Sequence, residues 1–586
     1  MENLETLRHS TSHVLAMAVL ALQPKAKLAI GPAIADGFYY DFDLPEKISE
    51  NDLSKIETIM KDLIKKKLPF ERKLLSIADA KIWARRNNQS YKLELIEELE
   101  KAGNKEVSFY KTGDFFDLCS GPHIFNTSQI KYFKLLSVAG AYWRGSEQNP
   151  MLTRIYGTVW PTKEELEKHM LQLEERKLRD HRKIGKELDL FTFTEEVGPG
   201  LPLWMPKGTV IREELEKWAG ETEKNWGYAK VATPHIAKHT LYEISGHLPY
   251  YKDDMYPKMN IDGEDYYLKG MNCPHHHMIY LAKPRSYKDL PLRLAEYGTV
   301  YRLEQSGTLF GLMRARSIAQ NDAHIYCTEE QAEEEFLNVL KLHEYYYNIL
   351  GLTKDDYHLV IGLPDEKKRD KYHGDKKLWD KAEKMMRSAI KKSNIRHIDD
   401  VGGAAFYGPK IDFNIRSSVG REFGISTNQL DLYMPRRFNL TYTDAKGGKK
   451  LAVVIHRAPL GSHERFIGFL IEHFGGAFPV WLSPVQAVVI PIAERHTKYA
   501  QSLSEKLTNS EIRTECYSRS ETMQSKIRDA QLQKIPYMLI VGDKEEKTKT
   551  LAIRAREGKE AKDWTIDRFI LKIKENIVKK GLNLII

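Results

Sequence analysis

Two polar–apolar alternations, separated by a short run of small residues, constrain this chain more than any other feature. The first is EYGTVYRLEQSG; the second closes GLMRARSIAQNDAH at His324. Period-two alternation marks a strand whose two faces meet different surroundings. Ser306-Gly307-Thr308 reads as the connection of an antiparallel pair. Arg302 and Glu304 then share a face, as do Gln320, Asp322 and His324 on the returning strand. One sheet face would carry a guanidinium, two carboxylates, an amide and an imidazole. Polar alternation alone is explained by a solvated sheet face. Clustering with Cys273, just upstream in KGMNCPHHH, and with the distant His456 favours a site instead.

A chain of 586 residues has room for three or four domains. No apolar run approaches the length of a membrane span, and the opening LRHSTSHVLAMAVLAL lacks a signal-peptide layout, so no membrane partner is expected. Four cysteines (Cys119, Cys273, Cys327, Cys516) are too few and too scattered for a disulfide framework, which fits a reducing cytoplasm. The net charge is +9, and residues 484–586 hold 20 Lys/Arg against 14 Asp/Glu. A basic terminal domain suits a polyanionic partner, although many solvated α/β domains are as basic.

Residues 1–161 form a first unit. His9 and His13 lie four apart in a helical pattern and stack on one face. Far downstream, Asp117-Leu-Cys119-Ser-Gly-Pro-His123 adds a thiol and an imidazole at a Gly-Pro turn. Two histidines, a cysteine and a third histidine have the chemistry of a zinc site. They equally suit a metal-free pocket whose imidazoles activate water. Residues 162–186 read as a charged linker helix, opened by a Thr162/Glu165 capping box. Residues 187–482 are the largest unit. It begins with a loop at Gly198, then a long helix and a strand ending at Pro234; later Gly461-Ser462 caps an apolar helix with Arg465 in its first turn. Residues 483–586 alternate strands (QAVVIPI, IRTECYS, YMLIVGD, TLAIRARE) with helices, an α/β pattern.

HSTSH, IGPAIADGFYYDFD, DLCSGPH and AGAYWRG, in that order, resemble the editing domain of bacterial threonyl-tRNA synthetases. The resemblance implies a pocket that hydrolyses serine misattached to threonine tRNA, built here from His9, His13, Lys92, Asp117, Cys119 and His123. Bacterial members usually carry a small ubiquitin-like domain in front, and this chain is expected to lack it. The helix and strand up to Pro234, TVYRLE through MRAR, and APLGSHERFIGFLIEHF are similar to motifs 1, 2 and 3 of class II aminoacyl-tRNA synthetases. The implied fold is multidomain α+β and α/β: an N-terminal α+β editing domain, an antiparallel-sheet catalytic core and a C-terminal α/β anticodon-binding domain. The implied assembly is a homodimer formed through motif 1.

The same resemblance assigns roles. Arg302 contacts the α-phosphate of ATP and the amino acid carboxylate, Arg465 the γ-phosphate, Glu304 the adenine end; Arg314, Thr427 and Gln429 also fall on ATP-side positions, and Mg2+ bridges the phosphates. Cys273, His324 and His456 match the three ligands of a catalytic Zn2+ with one open position; they are 51 and 132 residues apart, so no local spacing rule finds them. Asp322 matches the carboxylate that reads the threonine hydroxyl, with Gln320, Tyr407 and Lys410 completing the pocket. A metal suits that task because an apolar pocket separates valine from threonine by only about 10²-fold. Serine keeps the hydroxyl, and a missing methyl is worth roughly 1–3 kcal/mol, which explains a second, hydrolytic site. Glu545 and Arg554 fall on anticodon-reading positions, while Ser520 stands where Asn is common.

Three segments depart from the pattern. Cys-Pro-His275-His276 replaces Cys-Pro-Gly-His, which is expected to add an imidazole beside the metal; Asn321 replaces Asp; and 421–429 (REFGISTNQ) replaces a Trp-Gln-Cys-Gly-Thr-x-Gln type. The reaction implied is activation of L-threonine by ATP and its transfer to tRNA(Thr). A synthetase for another small amino acid, and a proofreading or RNA-binding protein on a degenerate synthetase body, are the competing readings. The intact Arg302, Glu304 and Arg465 speak against the second.

Overall fold

The computed structural model describes residues 4–146, 148–417, 420 and 422–586, so Arg421 of the departing segment lies outside the described residues. The chain divides into two compact units, Met1–Glu174 and Glu175–Ile586. No described helix is long and apolar enough to cross a membrane.

In the first unit the helix Leu4–Leu22 is buried along most of its length, because Val14, Leu15, Ala18 and Val19 pack on Phe38, Phe42 and Ile155. Those residues come from a five-stranded sheet built on Gly37–Asp43, Met151–Trp160 and Tyr132–Tyr142. A separate three-stranded sheet (Glu71–Ser76, Glu106–Thr112, Phe115–Leu118) ends at the turn that carries Cys119 and His123.

The segment after residue 161 opens with the expected cap: the Glu165 N–H donates to Thr162 Oγ1 at 3.2 Å, and the Thr162 N–H donates back to the Glu165 carboxylate at 3.2 Å. It is not one helix. Lys163–Leu178 stops, and Asp180 caps a second helix, His181–Glu187, by accepting the Arg182 N–H at 2.9 Å. The division follows burial: Lys163–Leu178 is charged and mostly solvated, whereas Ile184 and Leu188 enter the main core of the second unit.

That core lies against an eight-stranded sheet. Its order is Ala229–Lys230, Leu292–Tyr301, Ser317–Cys327, Val453–Ala458, Glu422–Asp431, Lys410–Arg416, Tyr357–Leu363 and His397–Val401. Only the two outermost pairings are parallel. The long helix before it is Pro206–Asn225, and the strand expected to run to Pro234 is only Ala229–Lys230, since Val231 makes one further bond to the Ala295 carbonyl before the chain turns away. The C-terminal strands all form, in the order Thr514–Cys516, Ala487–Pro491, Tyr537–Val541, Thr550–Ala555, with Glu560–Thr565 added at the edge.

Candidate active site

The sheet register assembles what the sequence scatters. His324 pairs with His456 on the next strand, His456 with Gln429 on the one after, and Gln429 with Lys410 on a fourth. Residues directly opposite across a ladder share a face. One row across four strands therefore presents two imidazoles, an amide and an ammonium. Cys273 opens the helix Cys273–Leu281, and its sulfur and one ring nitrogen each of His324 and His456 all lie within 4.8 Å of one another, buried.

The remaining ring nitrogens are accounted for. His456 Nε2 pairs with Asp431 Oδ2 at 2.9 Å. His324 Nδ1 shares a hydrogen bond of 2.8 Å with His276 Nδ1, and His276 Nε2 lies 3.5 Å from Glu296 Oε1. Burial opposes the charge on Glu296, but the close His276 ring, the hydrogen bond from Thr233 and the nearby Lys269 ammonium hold its carboxyl down at about 2. Burial, with Asp322 and Asp431 near, pushes the Cys273 thiol well up. A cation would have to displace that proton. The donor set fits zinc: a buried thiol and two imidazoles whose outer nitrogens are fixed by carboxylate-linked partners.

The imidazole expected beside this set from His275 is elsewhere. Its buried ring packs near Tyr242, and neither nitrogen has a hydrogen-bond partner among the described residues. Burial and the Lys269 charge lower it to about 4. On a helix, successive residues point about 100° apart, so His276 rather than His275 turns toward the sheet.

A cleft of about 570 Å³ opens over the sheet, lined by Cys273, Arg302, Glu304, Arg314, Gln320, Tyr407, Lys410, Thr427, Gln429 and Arg465. Asp322 is not among the residues that line the cleft; it accepts an N–H from Asn272 Nδ2 at 3.0 Å. The strand face expected to carry Arg302 and Glu304 ends too early. Leu292–Tyr301 stops at Tyr301, and the Glu304 N–H turns back to the Arg302 carbonyl at 2.9 Å. Both side chains still reach the cleft, from the connection. Glu304 pairs there with Arg314 at 2.7 Å, and Lys410 with Asp412 at 2.7 Å. The Arg302 guanidinium has no ion-pair partner among the described residues. Arg465 follows the Ser462 cap and donates to the carbonyls of Met313 (3.0 Å) and Gly424 (3.1 Å). Burial, then Arg302 and Arg314, lower its pKa, the electrostatics of a site built for an anion.

Asn321 lies behind the sheet. It donates to Glu223 Oε1 at 2.8 Å, the same oxygen that the buried Arg457 reaches at 2.8 Å. Sequence reading missed His247, which lines the cleft with Nδ1 2.8 Å from Ser245 Oγ, and it missed Asp431 as the partner of His456. Neither carries a local signal beyond being a polar residue near a turn.

The first unit holds its own cluster. His9, His13, Cys119 and His123 offer ligand atoms within 4.8 Å of one another. Cys119 Sγ lies 3.3 Å from His9 Nε2 and 3.2 Å from His123 Nε2, while buried His13 Nδ1 has no hydrogen-bond partner among the described residues. Burial pushes the Cys119 thiol up to about 11 and His123 down to about 3, so the donors are neutral at physiological pH. Beside them Lys92 and Asp117 form a buried ion pair at 2.8 Å, and Tyr40 donates to Asp117 Oδ2 at 2.6 Å. In the C-terminal part of the second unit, Glu545 accepts the Gly542 N–H at 3.1 Å, Arg554 pairs with Glu560 at 3.2 Å, and Ser520 is exposed.

Comparison with known proteins agrees along the chain. Residues 256–474 match the tRNA synthetase class II core domain (G, H, P, S and T), 486–576 the anticodon binding domain, and 107–156 the threonyl and alanyl tRNA synthetase second additional domain. The threonine–tRNA ligase of Rubrobacter xylanophilus is 47% identical over 582 residues, 99% of this chain and 90% of that protein. That of Thermotoga maritima is 47% identical over 584 residues, 99% and 89%. Among solved structures, the RNA binding domain of threonyl-tRNA synthetase from Cryptosporidium parvum superposes with a TM-score of 0.65 at 36% identity, covering 68% of this chain and 98% of that one. With near-complete coverage at this identity, and all three domain types in order, the chain belongs to the threonine–tRNA ligase family.

Proposed function

We propose that this chain activates L-threonine with ATP and Mg2+ and esterifies it to tRNA(Thr). The observation that carries the reading is the buried Cys273–His324–His456 set beneath a cleft rimmed by Arg302 and Arg465. The threonine carboxylate attacks the α-phosphorus of ATP, the bond to the bridging oxygen breaks, and pyrophosphate leaves. Arg302 draws the attacking carboxylate and the α-phosphate together, and Arg465 holds the far phosphate, so charge is matched as it moves. Glu304 and Arg314 bracket the adenine end; Thr427 and Gln429 also line the cleft and are read as ATP contacts. Cys273, His324 and His456 would hold a zinc ion, which would supply Lewis acidity toward the threonine amino group and hydroxyl; valine has the amino group but no hydroxyl to offer. Asp322 accepts from that hydroxyl, and Gln320, Tyr407 and Lys410 enclose the amino acid. A terminal ribose hydroxyl of the tRNA then attacks the mixed anhydride and AMP departs.

The N-terminal cluster is read as the hydrolytic pocket for seryl-tRNA(Thr). Neutral His9, His13 and His123 can take a proton from water, and Lys92, fixed by Asp117, faces the same pocket. Residues 1–161 are read as editing, 162–186 as linker, 187–482 as catalytic and 483–586 as anticodon-binding, with Glu545 and Arg554 contacting anticodon bases. The basic C-terminal part supports RNA binding. The chain is further read as a cytoplasmic homodimer, with the helix Pro206–Asn225 as its motif 1 element.

ATP–pyrophosphate exchange with threonine, serine, valine and proline tests the reading. Threonine is expected to drive exchange best, serine less and valine negligibly. Exchange with proline or serine but not threonine rejects it.

A further inference from the structure

Outside the cleft, Asp180, His181 and Glu472 converge closely enough to suggest a third ion site. The hydrogen bonds of His181 give a different answer. Its Nδ1 pairs with Glu472 Oε1 at 2.8 Å, and its Nε2 accepts the backbone N–H of Leu312 at 3.2 Å. A ring that donates from one nitrogen and accepts at the other has no lone pair left for a cation. Glu472, buried, selects the tautomer in which Nε2 is the acceptor.

The accepted N–H belongs to the connection that supplies the rim of the cleft. Phe310 to Arg314 form its tip. Arg314 reaches the cleft, and the Met313 carbonyl accepts Arg465 Nε at 3.0 Å. Three further contacts tie that tip to the helix His181–Glu187. The Arg182 guanidinium sits over the Phe310 ring at 4.4 Å. The His181 ring meets Phe310 edge-on at 5.4 Å. Gly311 adopts φ +49°, and a Cβ there would collide with the His181 ring and the Arg182 stem. The helix, the tip and the helix His463–Phe474, which carries both Arg465 and Glu472, are thus linked through one imidazole.

We propose that His181 is a positioning residue for ATP: by accepting the Leu312 N–H it fixes the 310–314 tip, so that Arg314 and, through the Met313 carbonyl, Arg465 stand in place before the nucleotide arrives. Preorganised donors need no rearrangement as charge develops, and a side chain that locks them acts on ATP rather than on the amino acid. The inference rests on the reading of Arg314 and Arg465 as ATP contacts.

Two substitutions separate the two bonds. His181→Gln places an amide oxygen near the Nε2 position, keeping an acceptor for Leu312 and losing the Glu472 bond. His181→Asn places its amide NH2 near Nδ1, keeping the Glu472 bond and losing the acceptor. Pyrophosphate exchange on the whole 586-residue chain, titrating ATP and threonine separately, reads the difference. For His181→Asn the KM for ATP is expected to rise about tenfold, the worth of one well-placed hydrogen bond, with the KM for threonine unchanged. His181→Gln should stay closer to wild type. Gly311→Ala, which displaces the same tip from the other side, should repeat the ATP-specific rise. Equal KM values for ATP in the Asn and Gln variants, or parallel rises for ATP and threonine, overturn the proposal and leave His181 a packing residue. Absence of threonine-dependent exchange in the wild type would instead remove the reading of the cleft, and this inference with it.

Discussion

Asp431→Asn is the most informative single change, because the structure assigns each oxygen of Asp431 a separate task. Oδ1 accepts the N–H groups of Tyr433 and Met434 at 2.8 Å each, and Oδ2 pairs with His456 Nε2 at 2.9 Å. The carboxylate therefore keeps the imidazole proton on Nε2 and turns the Nδ1 lone pair toward Cys273 and His324. In the Asn variant the amide oxygen keeps the two backbone bonds. Flipping it would set an NH2 against two donors. The NH2 then faces Nε2, which must accept, and the ring proton moves to Nδ1, where it blocks a metal. Loss of an outer partner of this kind lowers metal affinity by about 10–100-fold. That corresponds to roughly 1.4–2.8 kcal/mol at 1.4 kcal/mol per tenfold. Zinc retention in a graded series of chelator-buffered solutions measures the shift directly, and threonine-dependent exchange in the same buffers shows whether added zinc restores activity. Zinc affinity equal to wild type, or a loss of exchange that saturating zinc leaves unrepaired, would refute the tautomer argument.

Other outcomes follow from the same geometry. Arg302→Ala should lower exchange by about 10²–10³-fold, the usual worth of one preorganised donor to a transition state, and a loss under tenfold would remove Arg302 from the reacting atoms. His13→Ala should leave threonylation intact while seryl-tRNA(Thr) accumulates, and unchanged deacylation of seryl-tRNA would reassign the pocket. Zinc content of the purified protein should be at least one per chain at the Cys273 set; a second equivalent that disappears in Cys119→Ser would place an ion in the N-terminal cluster as well. His343 is fully buried, stacked on Phe413 at 4.0 Å, and burial holds it at about 3 despite its bond to the Val339 carbonyl. Its folded value lies below the unfolded one of about 6.5, so the unfolded chain binds the extra proton. That contribution to stability is full above about 6.5 and is lost as pH falls toward 3. Urea midpoints of wild type should drop between neutral and acid pH, and His343→Leu should drop less; identical pH slopes would contradict the assignment.

The sequence alone determined what local pattern and motif chemistry can carry. The Gln320–Asp322–His324 alternation, the Ser462 cap before Arg465 and the Thr162–Glu165 box depend only on neighbours within one element, and each formed as the residues imply. Resemblance supplied the long-range set, since Cys273, His324 and His456 have no shared spacing. Tertiary structure decided the rest. The register that places His324, His456, Gln429 and Lys410 in one row is fixed by how four strands align, which no single strand encodes. The same holds for His276 rather than His275 beside the metal set, for the break at Asp180, and for the partners of His181 and Asp431. In each case burial against an element distant in the chain selected one arrangement among several that the local residues allow.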